Sequence, residues 1–252
     1  MIGAAFAWAC AHADGPLSVE ELVAAGDASW HAQDEAALLE TRQQVAEMAA
    51  QDPGQRRLSY YLAWMDYRLA TMNSGGLASG TRSRLESCEA RLKEQLAEDE
   101  EFGEGWLLLA ACRWERLTGA DLGALPIVPQ ALSAQTRGIK LAEESPRAPL
   151  VDAIGLMRRP RSLGGDSANA EQALKEGLRR FLASHSDPDG IGWGLEDTWL
   201  RLGDLYRSRG DTLRARDAYE QVLLLMPESS LARQRLESLQ GEIDPPDTSA
   251  VP

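Results

Sequence analysis

The sequence holds little material for metal or nucleophile chemistry. It has three histidines and three cysteines in 252 residues. His12, His31 and His185 stand far apart and have no partners at ligand spacing, which excludes the usual zinc arrangements. There is no C-x2-C, no H-E-x-x-H and no G-x-S-x-G, so no readable metalloprotease or serine-hydrolase motif. No catalytic residue, metal ligand or cofactor is therefore assigned. Positive charge is also scarce: 26 Lys and Arg stand against 39 Asp and Glu, a net charge of −13. A field of that sign repels phosphate backbones and argues against nucleic-acid binding and anionic membrane surfaces. After residue 11 no apolar run is long enough to cross a bilayer. Period-2 alternation long enough for a strand is missing too, which leaves helices.

What is present is a globular composition. Hydrophobic residues make up 44% and charged residues 26%, enough to bury a sizeable core. Residues 1–13 have the form of a signal peptide: Ile2 to Ala11 is apolar, and Ala11-His12-Ala13 is an A-x-A site ahead of Asp14-Gly15-Pro16. No Lys or Arg precedes the apolar run, so the match is incomplete. Export implies a periplasmic chain with no transmembrane span in its mature form; the alternative is a cytoplasmic one. Cleavage removes Cys10 and leaves Cys88 and Cys112, on consecutive predicted helices at similar distances from the turn near Asp99 to Gly103. A disulfide is possible there in an oxidising compartment. Two small buried thiols are the other reading.

From Leu17 to residue 241 the pattern is one helix after another. Turn chemistry separates them at Asp52-Pro53-Gly54, Asn73 to Gly76, Gly119 to Asp121, Ser145-Pro146, Gly164-Gly165-Asp166, Asp187 to Gly190 and Gly210-Asp211. Residues 242–252 are rich in Pro and Asp and are expected to be a disordered tail. The acidic run Glu98 to Glu101 falls at a turn, where a solvated role is expected.

Trp199, Leu202, Gly203 and Tyr206 reproduce the W-x2-L-G-x2-Y spacing of a tetratricopeptide first helix. Gly210-Asp211 makes the turn, Ala215 and Tyr219 follow on the second helix, and Pro227 ends the unit. This best repeat spans 196–229. Gly203 and Ala215 are small so that two helices can approach closely. Looser copies occur elsewhere: Ala28, Ser29, Ala32, Val45 and Pro53; Tyr60, Ala63, Trp64 and Tyr67; and Trp106, Leu109 and Ala110, with Arg113 in place of Tyr. Aromatic residues at such spacing are usually packing, with Tyr61 alone pointing toward a possible groove. The expectation is an all-α, right-handed solenoid of about three to five stacked antiparallel helix pairs, by the repeat period.

The middle of the chain resembles uncharacterised exported bacterial tetratricopeptide proteins. Ser145-Pro146-Arg147, the run from Gly155 to Gly165-Asp166, and Trp193-Gly194 carry the resemblance. It implies a fold and a compartment but no activity. A more distant similarity is to the helical T-component of TRAP solute transporters, which implies a solute-binding or transport-accessory alternative.

Two sets of candidate binding residues follow. Arg158, Arg159 and Arg161 lead into Gly164, Gly165 and a helix start, where an anion or acidic peptide could be gripped. Capping by Asp166 and pairing of the arginines with nearby acids is the simpler reading. If the best repeat resembles other tetratricopeptide proteins, Asp197, Leu200, Asp204, Arg207 and Ser208 face the inner groove. Acids at two of these places argue against a clamp for chaperone C-terminal carboxylates. The function expected from the sequence is non-catalytic binding of a protein or peptide.

Overall fold

The computed structural model describes residues 17–52, 54–72, 80–117, 126–183 and 191–243, with side chains as far as residue 239. The expected signal peptide and the tail beyond 243 lie outside these residues. All regular structure among them is helical: α1 (Val19–Ala32), α2 (Glu35–Gln51), α3 (Arg56–Thr71), α4 (Thr81–Glu98), α5 (Gly103–Glu115), α6 (Val128–Leu141), α7 (Arg147–Arg158), α8 (Ser167–Ala183), α9 (Leu195–Ser208), α10 (Thr212–Leu225) and α11 (Ser230–Ile243). α11 therefore runs two residues into the expected tail.

Helix starts follow the capping chemistry of the sequence. Ser18 and Glu21 form a capping box, with the Glu21 amide donating to Ser18 Oγ at 3.2 Å and the Ser18 amide to Glu21 Oε2 at 2.7 Å. Asp34 and Asp211 accept from the first turns of α2 and α10. The helices pack as five consecutive hairpins, α1–α2 through α9–α10, and α11 covers the last of them. First helices also stack on one another, α1 on α3, α3 on α5 and α5 on α7.

Burial separates the two kinds of helix. In α3, twelve of sixteen residues are buried, so this helix sits inside the stack with protein all around it. In α2 only Leu38, Thr41 and Val45 are buried, one stripe against the core. The best repeat packs as its spacing predicts. A Cβ built on Gly203 would lie 2.3 Å from the Tyr219 ring, so only glycine lets α9 and α10 approach that closely. Ala215 and Tyr219 are fully buried.

The stack curls until its ends meet, because α11 also packs on α1. Ser230 Oγ donates to the Ala32 carbonyl at 2.7 Å, and His31 Nδ1 lies 3.1 Å from Ser229 Oγ. Burial, with Arg68 nearby, pushes His31 down to about 4, so the ring is neutral at pH 7.

Cys88 on α4 and Cys112 on α5 are fully buried and joined in a disulfide with Cα atoms 6.6 Å apart. The bond closes a loop across a sequence separation of 24. Replacing both with alanine is expected to cost about 3.5 kcal/mol, the chain-entropy value for a loop of that length. Urea unfolding under non-reducing conditions measures it. Equal stability of the double variant and the parent would mean that the bond contributes nothing.

Candidate functional site

The inner side of a curved helical stack is where a binding groove is expected. Here the chain fills that space itself. The segment 191–194, just before α9, runs against α3 and α7. Arg147 is almost fully buried; its Nε and Nη2 donate to Glu104 at 2.7 and 3.0 Å, and its Nη1 donates to the Ile191 carbonyl at 2.9 Å. Trp193 Nε1 donates to Tyr60 Oη at 2.9 Å, and the Gly192 amide donates to Tyr61 Oη at 3.2 Å. Tyr61, read from the sequence as a possible groove residue, is thus buried; the segment it anchors occupies the groove. Arg147 and Trp193, which carry the resemblance in the sequence, are brought together as packing and hydrogen-bonding partners.

Beside this plug runs a ladder of alternating charge. Arg68 on α3 is fully buried and donates to Asp197 of α9 from both ends of its fork, at 2.6 and 2.8 Å. It also bonds Asp27 of α1. One turn on from Asp197, Arg201 donates to Glu115 of α5 at 2.8 Å and to Tyr67 Oη at 2.9 Å. Glu115 then takes Arg158 of α7 at 2.5 Å. Asp27, Arg68, Asp197, Arg201, Glu115 and Arg158 alternate in sign and together tie all five first helices to one another.

Three tryptophans surround Arg68, with ring centroids 4.4 Å (Trp30), 5.0 Å (Trp64) and 5.8 Å (Trp193) away. Burial alone would raise every carboxylate here. For Glu115 the two arginines outweigh it and hold the group low, and Arg68 does the same for Asp197. For Asp27 burial wins, and its carboxyl is pushed up to about 7.

At the C-terminal ends of α1, α3, α5 and α7 the ladder opens on a cavity of about 90 Å³. Trp30, Met72, Leu200 and Leu231 supply apolar wall; Glu115, Arg158, Asp197, Arg201, Asp204 and Arg235 supply charge. The structure thus brings Arg158, Asp197, Leu200 and Asp204 together from the two sequence-derived sets. Asp197 is committed to Arg68. Asp204 accepts from Tyr219 Oη at 2.8 Å and lies 3.0 Å from Arg235 Nε. Arg207 is half-buried and does not line the cavity.

The rest of the arginine and glycine segment goes elsewhere. Arg159 lies over the Trp114 ring at 5.3 Å and donates to the Gly155 carbonyl at 3.0 Å. Arg161 is exposed in the 3-10 turn Arg161–Leu163. Gly164 has φ +84°, and a Cβ on Gly165 would meet the Arg159 carbonyl at 2.0 Å, so both glycines are required by the backbone. Asp166 Oδ1 accepts from the Ala168 and Asn169 amides at 2.8 and 3.1 Å, capping α8. Asp166→Ala is expected to cost about 1 kcal/mol, read as a shift in the urea midpoint with unchanged slope.

Asp27, Arg68, Glu115 and Arg201 of the ladder and Trp30, Met72, Leu231 and Arg235 of the cavity wall are among the residues that sequence reasoning missed. A signal for two of them existed. Arg68 interrupts the apolar run from Tyr60 to Ala70, and Glu115 ends the run from Trp106; a charge in such a run needs a buried partner.

No protein-family model and no curated protein matches the chain. Its fold is similar to the crystal structure of a thermophilic TPR protein from Thermus thermophilus, with a TM-score of 0.59 over 88% of this chain and 98% of that one. The fold is that of a tetratricopeptide solenoid. Sequence identity is 16%, so the similarity concerns architecture alone. The five hairpins fall at the upper end of the number expected from the repeat period. The tetratricopeptide groove in this chain is distinguished by its own contents, the plug 191–194 and the charge ladder.

Proposed function

We propose that this is a non-catalytic tetratricopeptide interaction protein of the cell envelope, binding a protein or peptide partner. The observation that carries the reading is the repeat architecture: stacked hairpins with polar outer helices present one continuous surface to a partner. With the groove filled by the chain itself, that partner sits on the outer faces or the rim. The Cys88–Cys112 bond supports an oxidising compartment, as does the A-x-A segment in the sequence.

Photo-crosslinking from the outer faces of α2 and α4 in living cells, followed by purification from the envelope fraction, tests the reading. A stoichiometric protein partner is the expected result. A protein recovered from the cytosol alone, or one that carries a small molecule and no protein, would overturn it.

A further inference from the structure

We propose that the contact between α11 and α1 is a latch released by acid: protonation of His31 frees α11 from α1 while the five hairpins stay folded. The latch does not depend on the identity of any partner.

The geometry of the seam comes first. His31 lies in the last turn of α1 and is almost fully buried, with Nδ1 3.1 Å from Oγ of the fully buried Ser229. Ser229 caps α11: its Oγ accepts from the Ala232 amide at 3.1 Å and its carbonyl from the Arg233 amide at 3.3 Å. The other ring nitrogen, Nε2, is buried and bonds to nothing among the described residues. A neutral ring can leave one nitrogen bare, as an acceptor. An imidazolium carries a proton on both, so Nε2 would become a charged donor without an acceptor, which is costly out of water.

Among the described residues, the charges around the ring are already engaged. Arg68 of α3 opposes a second cation, and Asp197 of α9, which favours one, is spent on Arg68. On α1, Asp27 is also bonded to Arg68. With its carboxyl pushed up to about 7, Asp27 takes a proton before His31 does. From α2, Asp34 caps its own helix and Glu35 pairs with Arg84. On the α11 side, Arg233 pairs with Glu228 and Arg235 with Asp204. The helix ends add a direction. α1 presents its C-terminus to His31, which favours a cation, and α11 its N-terminus, which opposes one. Detaching α11 removes the opposing end and gives Nε2 to water, so the proton and the packed seam exclude one another.

The seam also rests on the bond from Ser230 to the Ala32 carbonyl and on Leu231, which shares the cavity wall with Trp30. The hairpins pack on one another through their own helices, so α11 can leave without opening them. Its departure takes Leu231 and Arg235 out of the wall of the ladder cavity, and acid thereby opens that cavity.

Hydrogen exchange of the full chain at pH 7 and pH 4.5, expressed as protection factors so that the intrinsic pH dependence divides out, tests the latch. A 14-residue helix deprived of its packing is marginal in water, so release shows as exchange in α11. Burial and Arg68 hold His31 at about 4 in the closed seam, against an ordinary 6.5. The protection of α11 should therefore fall about 50-fold between the two pH values, while α5 and α6 keep theirs. His31→Asn places an amide near the position of Nδ1 and does not titrate, so its α11 should be equally protected at both. An α11 in the parent as protected at pH 4.5 as at pH 7 overturns the proposal. A loss shared equally by all helices is plain unfolding and overturns it too. A loss in His31→Asn equal to that of the parent assigns the release to another group and rejects the latch. If His31→Asn leaves the seam open at both pH values, the NMR titration of the His31 ring in the parent decides. A midpoint near 6.5 overturns the latch; a midpoint below 5, with α11 protection falling toward that pH, supports it.

Discussion

Arg68→Ala is expected to destabilise the protein by about 3–5 kcal/mol, the range for breaking a buried ion pair by removing one partner. Arg68 is fully buried and bonds carboxylates from α1 and α9. Its loss leaves Asp27 and Asp197 facing one another without a cation. It also empties the space between Trp30, Trp64 and Trp193. Urea unfolding at pH 7 measures the effect, and the triple replacement Arg68→Met, Asp27→Leu, Asp197→Leu separates its causes. Apolar groups in place of a whole buried ion cluster are often neutral or stabilising. The triple variant should therefore recover most of what the single one loses. A triple variant as unstable as Arg68→Ala would mean that the ladder contributes more than the cost of orphaned charge.

The second large effect is a change in pH dependence. The Asp27 carboxyl is raised from an ordinary 3.8 to about 7, first by burial and with Asp197 opposing its ionisation. A raised folded-state pKa stabilises below the unfolded value, and that stability is lost as pH rises through the folded one. Across the whole window the loss is about 4 kcal/mol at 1.36 kcal/mol per pH unit. About 3 kcal/mol of it falls between pH 5 and pH 8. Asn at position 27 does not titrate, so the stability of Asp27→Asn relative to wild type should climb by that amount over the same range. His31, held at about 4, acts in the opposite direction: its neutrality costs stability as pH falls from 6.5 toward 4. It is present in both proteins and cancels in the difference. Parallel pH curves for the two proteins would show that Asp27 ionises as freely in the fold as in water.

The helical repeat was legible because its signals are local. Trp199, Leu202, Gly203 and Tyr206 face one neighbour at fixed offsets, and Gly203 against Tyr219 is the contact that spacing implies. The cap of α8 was legible for the same reason, as Asp166 shows. The boundary between α1 and α2 was not. Gln33 takes the left-handed conformation there with φ 60°, where no glycine or proline announces it. The site was less legible still. The bond from Arg68 to Asp197 spans 129 residues and that from Arg201 to Glu115 spans 86. Such pairs depend on how tightly five hairpins curl, and no short window of sequence carries that curvature. Asp197 and Leu200 could be placed on the inner face by repeat register. That the face would be occupied by the chain's own segment 191–194 could not.

The junction of α11 with α1 changes the kind of object this solenoid is. Repeat arrays are ordinarily one-dimensional: each unit feels only its neighbours, and an end can fray or be trimmed at the cost of one interface. Here His31 meets Ser229 across 198 residues, so among the described residues the first helix and the last are in contact. Truncating the last helix therefore uncovers part of the first, and fraying at one end removes contacts from the other. The seam between α11 and α1 thus couples the two ends of the stack, which a linear array leaves independent.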